Sequence, residues 1–132
     1  LSIPDSYEPD SLLGRVYVED IYQCSSLVRD YLDEHGINSR KWIENWIVPS
    51  DYKEANKLMI KAIKGNCTEV IQRDIAEGDI LIFEINDRKI HHMGIYAGNN
   101  EFIHQPIDCL SSKAFMDERW AKKVYKIYRA KV

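Results

Sequence analysis

Residues 80–104 read ILIFEINDRKIHHMGIYAGNNEFIH and contain three short apolar segments separated by turn sequences. Residues 80–85 are apolar and β-prone, residues 90–97 alternate between two faces, and residues 101–104 follow the turn sequence Gly-Asn-Asn at 98–100. Strands joined by such short turns pair in the antiparallel sense. This stretch therefore predicts an antiparallel β-sheet in the second half of the chain.

Helical patterns precede the predicted sheet. Residues 24–35 place apolar side chains at helical spacing, and Gly36 is placed to end that helix. A second helix is predicted from Asp51 to Lys64, with an apolar stripe formed by Tyr52, Ala55, Leu58, Met59, Ala62 and Ile63. A last strand is predicted from about Lys123 to Arg129. Helices followed by strands indicate an α+β fold, in which N-terminal helices pack on an antiparallel β-sheet.

The alternation of the second strand separates two adjacent histidines. It places His92 and Gly94 on one face of the sheet and His91 on the other. With a three-residue loop over residues 98–100, Ala97 would pair with Glu101 and Gly94 with His104, so His92 would lie diagonal to His104 on the same face. A two-residue loop would instead send the two imidazoles to opposite faces.

Cys24 stands at the start of the first predicted helix, where unpaired backbone N–H groups favour a thiolate. An imidazole nearby would complete the activation of a nucleophile, and His92 and His104 are candidates. The competing interpretation is structural. Free cysteines are commonly buried and inert, and half-buried histidines commonly bond to the backbone.

The composition of the chain limits the classes of protein to which it can belong. The chain has 132 residues, 45% hydrophobic and 30% charged, which suits one compact domain. No run of about 18 apolar residues and no signal peptide pattern occurs, so membrane insertion is not expected. Residues 113–132 hold seven Lys or Arg against two acidic residues. Their basic residues alternate with apolar ones as in a solvated strand, so nucleic acid binding is not expected.

The three cysteines, Cys24, Cys67 and Cys109, form no short C-x-x-C pair. This argues against a disulfide framework and against a zinc knuckle. Because His91 and His92 are adjacent on a strand and point to opposite faces, they are also poorly placed as joint metal ligands. We therefore expect no metal site among these residues.

Four sequence blocks occur in an order that resembles a known family. They are LGRVY at 13–17 with CSSLVRDY at 24–31, EGDIL at 77–81, HMGIYAGNNEFIH at 92–104, and LSS at 110–112 with Trp120. The chain resembles the NlpC-like cysteine peptidases, which are papain-fold enzymes that cut bacterial cell-wall peptides. Within them it is similar to the peptidase domain of lambda-like phage tail tip assembly proteins. The His-x-Gly-Ile-Tyr block with a second histidine downstream is the most specific part of this resemblance.

The resemblance implies a papain-like NlpC-type domain over residues 13–132, preceded by an irregular lead-in over residues 1–12. It implies that Cys24 is the nucleophile, His92 the general base and His104 the residue that orients His92. Substrate-binding roles are implied for Tyr17, Gln23 and Ser25.

The implied reaction is hydrolysis of peptidoglycan stem peptides at a bond of the γ-D-glutamyl-diamino acid type, without a cofactor. Other phage tail tip proteins are implied as partners. The implied location is the bacterial cytoplasm during assembly and then the tail tip of the virion.

One departure from the family pattern motivates an alternative. The family commonly has aspartate immediately before the cysteine, and this chain has Gln23. The alternative function is therefore a structural module of a phage tail tip that keeps the papain-like fold without catalysis, since fold does not imply function. A transferase with the same thiol chemistry is a third interpretation.

Overall fold

The computed structural model describes residues 12–17, 23–42, 52–85 and 90–131. The helices in these ranges are α1 (Cys24–Glu34), α2 (Tyr52–Asn66) and α3 (Glu118–Ala121), with short 3-10 turns at Ser39–Lys41 and Gln72–Asp74. The strands are β1 (Cys67–Glu69), β2 (Ile80–Ile85), β3 (Ile90–Gly98), β4 (Glu101–His104), β5 (Ser112–Phe115) and β6 (Val124–Ala130). No helix within these ranges is both long and apolar enough to cross a membrane. The predicted lead-in over residues 1–12 lies outside the described residues except for Leu12.

The strands form one antiparallel sheet in the order β1-β6-β2-β3-β4-β5. The predicted α+β class is thus confirmed, and β2, β3, β4 and β6 lie within one residue of their predicted bounds. The order of the strands in the sheet does not follow the chain throughout, because β6 inserts between β1 and β2. Strands β1 and β5 were not predicted, because neither contains the run of apolar, β-prone residues that indicated the longer strands.

Both faces of the sheet are covered, which explains why residues 80–83 of β2 are all apolar and buried. On one face, α1 and α2 pack over Ile80, Ile82, Met93, Ile95, Ile103 and Tyr128 through Leu27, Val28, Leu32, Met59 and Ile63. On the other face, Leu81, Phe83, Phe102 and Ile127 form a second core with Trp120 against it. The sequence predicted that Leu58 belongs to the buried apolar stripe of α2. This is wrong, because Leu58 is 38% exposed and Ile60 packs against the core instead.

The turn between β3 and β4 is shorter than predicted. Gly98 pairs with Glu101, so the loop contains only Asn99-Asn100, whose φ angles of 51° and 63° are typical of a type I′ turn. The predicted pairing of Ala97 with Glu101 is therefore wrong. Asparagine tolerates the left-handed region well enough for the chain to turn in two residues.

A register shift compensates for the shorter turn. The pairing of β3 with β4 shifts between Tyr96 and Gly98, which leaves Ala97 as an extra residue. Gly94 consequently lies opposite His104, as predicted. His92 and His104 therefore share one face of the sheet even though the loop has two residues, because the extra residue at Ala97 restores the register.

A buried carboxylate connects the start of β2 to the end of β6. Asp79 is 1% exposed, and its two oxygens accept hydrogen bonds from Arg129 Nε at 2.8 Å and Nη2 at 2.9 Å. The backbone N–H of Ala76 donates to the same carboxylate at 2.8 Å. Bidentate pairs of this kind fix geometry as well as adding stability. The pair therefore fixes β6 beside β2 in this non-sequential strand order.

Gly94→Ala should destabilise the domain, because the strands are closest at this glycine. A Cβ at position 94 would lie 2.9 Å from the carbonyl oxygen of Ile103 and 3.4 Å from Cβ of His104. We expect a loss of about 1–3 kcal/mol in the free energy of unfolding, measured by urea denaturation.

Gly65→Ala is the matched control. A Cβ there meets no atom within 4 Å, and residue 65 lies within α2. Alanine should raise the free energy of unfolding by about 0.5–1 kcal/mol. Equal effects of the two substitutions would contradict the close approach at Gly94.

Candidate active site

Cys24 is brought to the sheet by the packing of α1. Leu27, Val28 and Leu32 of α1 are at most 1% exposed and bury the helix against the sheet. The sulfur of Cys24 lies in hydrogen-bond contact with the backbone N–H of Met93, the residue that follows His92. The start of α1 thus meets the middle of β3, as the predicted Cys-His site requires.

His92 and His104 are in direct contact and are called the histidine pair below. His92 Nε2 lies 2.8 Å from His104 Nδ1, and the ring planes cross at 75°. The contact exists because Gly94, which has no side chain, lies opposite His104 and leaves room for the diagonal neighbour. The bond occupies Nε2 of His92, so Nδ1 remains for exchange of a proton with a thiol.

The histidine pair is neutral at neutral pH. Burial, and to a smaller extent the neighbouring His104, lower the pKa of His92 from its ordinary 6.5 to about 3. Burial also lowers the pKa of His104 to about 4. One of the two nitrogens in the 2.8 Å contact therefore donates a hydrogen and the other accepts it.

The sequence predicted that the helix start would favour the thiolate of Cys24, but the structure favours the neutral thiol. Burial raises its pKa, although hydrogen bonds from the backbone of Met93, Ser25 and Cys24 itself act in the opposite direction. Desolvation outweighs the donors at the helix start because a buried thiolate loses its water shell. The resting site thus pairs a neutral thiol with a neutral imidazole.

A cleft of about 380 Å³ contains these groups, a size typical of small-molecule and peptide sites. Its lining is formed by Tyr17, Gln23, Cys24, Ile85, His91, His92, His104, Gln105, Pro106, Ile107 and Trp120. The structure therefore brings together five of the predicted site residues. Ser25 is not among them, because it is 1% exposed and its hydroxyl accepts a hydrogen bond from Gln23 Nε2 at 3.3 Å.

Tyr17 reaches the cleft through a segment tied to a distant part of the chain. The backbone N–H of Arg15 donates to Ser111 Oγ at 2.8 Å, and the Ser111 N–H donates to the Arg15 carbonyl at 3.0 Å. Gln105 Nε2 donates to the same carbonyl at 3.2 Å. The buried Arg15 guanidinium also pairs with Asp30 of α1 at 2.8 Å. These contacts hold residues 12–17 beside both the nucleophile helix and the loop after β4.

The cleft also includes Gln105, Pro106 and Ile107, which directly follow His104 but were not predicted as site residues. Trp120 formed part of the family resemblance but received no role. Its position in the cleft depends on the end of the chain folding back over the sheet, which no local pattern records.

His91 lies on the opposite face of β3 from the histidine pair, although it also lines the cleft. Its ring stacks on Tyr125 with centroids 5.0 Å apart, and its Nε2 lies 4.0 Å from Glu84. This agrees with the prediction that adjacent histidines face opposite sides. Across the part of the chain that the structure describes, no group of three or more His, Cys, Asp or Glu side chains is arranged to hold a metal ion.

The sequence profile of the NlpC/P60 family matches residues 14–129, and the chain therefore belongs to this family. Members of this family are usually cysteine peptidases or hydrolases and act on peptidoglycan peptides. Among curated protein sequences, none matches the chain significantly.

Two solved structures share the fold. One is a Staphylococcus aureus protein described as similar to lipoprotein, NLP/P60 family, with 19% identity, a TM-score of 0.58 and 90% of this chain covered. The other is an NlpC/P60 family protein from Bacillus cereus, with 18% identity, a TM-score of 0.55 and 83% of this chain covered. The matches cover 37% and 32% of those proteins, so this chain spans about a third of their length.

The neutral histidine pair should make the domain lose stability in acid. Above pH 6.5 both imidazoles are neutral in the folded and the unfolded chain. Between pH 6.5 and the folded pKa values of about 3 and 4, only the unfolded chain binds the extra protons, so the free energy of unfolding falls. Urea denaturation at pH 7 and pH 5 should reveal a loss on the order of 1 kcal/mol per histidine.

Two variants separate this effect from general acid sensitivity. His104→Gln removes one of the buried titrating groups and should lose less stability over the same interval. His35→Gln changes an exposed histidine and should behave as the wild type does. An unreduced loss in His104→Gln would contradict the assignment.

Proposed function

We propose that this chain is a cysteine peptidase that hydrolyses peptidoglycan stem peptides at the bond between γ-D-glutamate and the following diamino acid. One observation carries the proposal: Cys24, at the start of a helix, and the hydrogen-bonded histidine pair line the same cleft. Nucleophile, base and orienting residue are the parts that acyl transfer needs. The preference for this bond rests on the resemblance of the four sequence blocks to the NlpC-like peptidases.

The mechanism follows from the nitrogen atoms of the histidine pair. To accept the thiol proton at Nδ1, His92 must carry its own hydrogen on Nε2, and that hydrogen is donated to His104 Nδ1. Cys24 Sγ then attacks the amide carbonyl, and the Cys24 backbone N–H stabilises the developing oxyanion. His92 returns the proton to the leaving amine, and water hydrolyses the thioester that remains on Cys24.

This arrangement works only while His104 is neutral. A protonated His104 would carry a hydrogen on Nδ1 and would require Nε2 of His92 to be the acceptor. His92 would then hold its hydrogen on Nδ1, where the thiol proton must arrive. The burial that lowers the pKa of His104 to about 4 thus supports the base function of His92 at neutral pH.

The substrate contacts proposed for Tyr17 and Gln23 agree with their position in the cleft lining. Gln23 is neutral and cannot supply the negative charge that the usual aspartate would offer to an ammonium group. Ser25 is proposed to act indirectly, because its hydroxyl orients the Gln23 amide.

We further propose that the domain works in a phage tail tip, with other tail tip proteins as partners, after assembly in the bacterial cytoplasm. The four sequence blocks support this setting. Detection of the chain by mass spectrometry in purified phage particles would test it, and its absence from particles that contain the other tail proteins would oppose it.

Cys24→Ala should abolish cleavage of cell-wall sacculi and defined stem peptides. Loss of the nucleophile removes the thioester route, so the rate should fall by at least about a thousandfold. Mass spectrometry of the products should find fragments ending at γ-glutamate with the wild type only. Cys109→Ala alters an exposed cysteine and should retain the wild-type rate. Equal cleavage by Cys24→Ala would remove the mechanism.

A second candidate function is a structural tail tip module without catalysis. Two observations favour it: Gln23 replaces the usual aspartate, and burial raises the pKa of the Cys24 thiol. Alkylation in a background of Cys67→Ser and Cys109→Ser separates the two functions, because Cys24 is then the only thiol. If His92 activates Cys24, His92→Gln should slow alkylation at pH 7, whereas His35→Gln should not. Equal alkylation rates in all three proteins, together with no cleavage, would favour the structural module.

A further inference from the structure

Trp120 belongs to α3, and its ring packs against the histidine pair of β3 and β4. Its ring meets His104 edge-on, with centroids 5.2 Å apart and planes crossing at 84°. It also lies 6.4 Å from the ring of His92. A large apolar ring in this position excludes water from the imidazoles that it touches.

The position of Trp120 is fixed on several sides. Its ring lies 5.1 Å from both Phe83 and Phe102 in edge-on geometry, which joins it to the second core. Its backbone N–H donates to Asp117 Oδ1 at 3.0 Å at the start of α3. The ammonium of Lys123 lies 5.1 Å from the ring centroid, within the range of a cation–π contact. Trp120 is therefore a fixed wall of the cleft.

The residues that line the cleft around His104 leave desolvation as the main influence on its charge state. Within the described residues, Cys24, His91 and Tyr17 are the other titratable groups that line the cleft with the histidine pair. No Asp, Glu, Lys or Arg belongs to the described part of that lining. No carboxylate in this lining accepts a hydrogen from His104. Whether His104 Nδ1 accepts or donates the hydrogen bond with His92 therefore depends on whether His104 is neutral or protonated. Desolvation by neighbouring rings favours the neutral form.

We propose that Trp120 is a positioning residue for the histidine pair, whose ring holds His104 in place and keeps it a neutral hydrogen-bond acceptor toward His92. The consequence for catalysis rests on the proposed peptidase function, because it matters only if Nδ1 of His92 receives the thiol proton. Trp120 itself exchanges no proton and forms no bond with substrate in this role. Its effect passes through His104 to the hydrogen that His92 carries on Nε2.

The test compares Trp120→Ala and Trp120→Phe with the wild type by NMR of the imidazole nitrogens across a pH series. In Trp120→Ala, we expect the pKa of His104 to rise toward 6.5 by at least about one unit, because water reaches the ring. The single tautomer of His92 should be replaced by a mixture. Trp120→Phe keeps an apolar ring and should retain most of the wild-type behaviour. If the enzyme cleaves stem peptides, kcat should fall in Trp120→Ala by about tenfold to a hundredfold, more than KM changes.

Tyr125→Ala is the matched control, because Tyr125 stacks on His91 and does not line the cleft. It should leave the titration of His104 unchanged. The proposal is overturned if a folded Trp120 variant, checked by circular dichroism, loses thermal stability while His104 keeps its pKa and His92 its tautomer. Because the NMR measurement needs no substrate, failure of the wild type to cleave cell wall would count against the proposed function alone.

Discussion

The close approach of β3 and β4 at Gly94 is the constraint on which the site depends. A glycine opposite His104 leaves the volume in which His92 reaches across diagonally to form the 2.8 Å contact. Any side chain at this position would meet the backbone of Ile103 on the neighbouring strand. One missing side chain thus leaves room for the histidine pair in the cleft that Cys24 also lines.

The electrostatics of the cleft follow from its burial. Desolvation lowers the pKa of both histidines and raises that of the Cys24 thiol, so the neutral forms of all three groups are favoured at rest. Such a site does not store a thiolate–imidazolium ion pair. It would form charge only when a substrate carbonyl is present to receive the sulfur electrons, as general-base catalysis requires. Burial of the histidine pair therefore keeps the resting site neutral and also makes the fold less stable in acid.

The comparisons establish the family and the fold, whereas the proposed roles of individual residues rest on the geometry of the site. The NlpC/P60 profile covers most of the chain and establishes the family, and the two solved structures establish the fold. The roles of individual residues rest on the contacts of Cys24 and the histidine pair. Gln23 gives the cleft a neutral amide beside the nucleophile, which can donate and accept hydrogen bonds but carries no charge.

The sequence alone determined the properties that depend on local pattern. Alternation in β3 separated His91 from His92, helical spacing placed Cys24 at the start of α1, and Gly94 was correctly paired with His104. These features depend on residues close together in the chain, where side-chain period and turn chemistry act directly. Even so, the Asn99-Asn100 turn and the shift at Ala97 escaped prediction, because two errors of one residue cancel in the register of the hairpin.

The features that join distant segments arise only when the chain has folded. The insertion of β6 beside β2 depends on the ion pair of Asp79 with Arg129, and the position of Tyr17 depends on Ser111. Trp120 reaches the histidine pair only after the end of the chain returns to the sheet. The raised pKa of Cys24 has the same origin, because burial is a sum over neighbours contributed by the whole fold. A linear pattern records the residues, whereas desolvation and long-range pairing arise when the segments pack together.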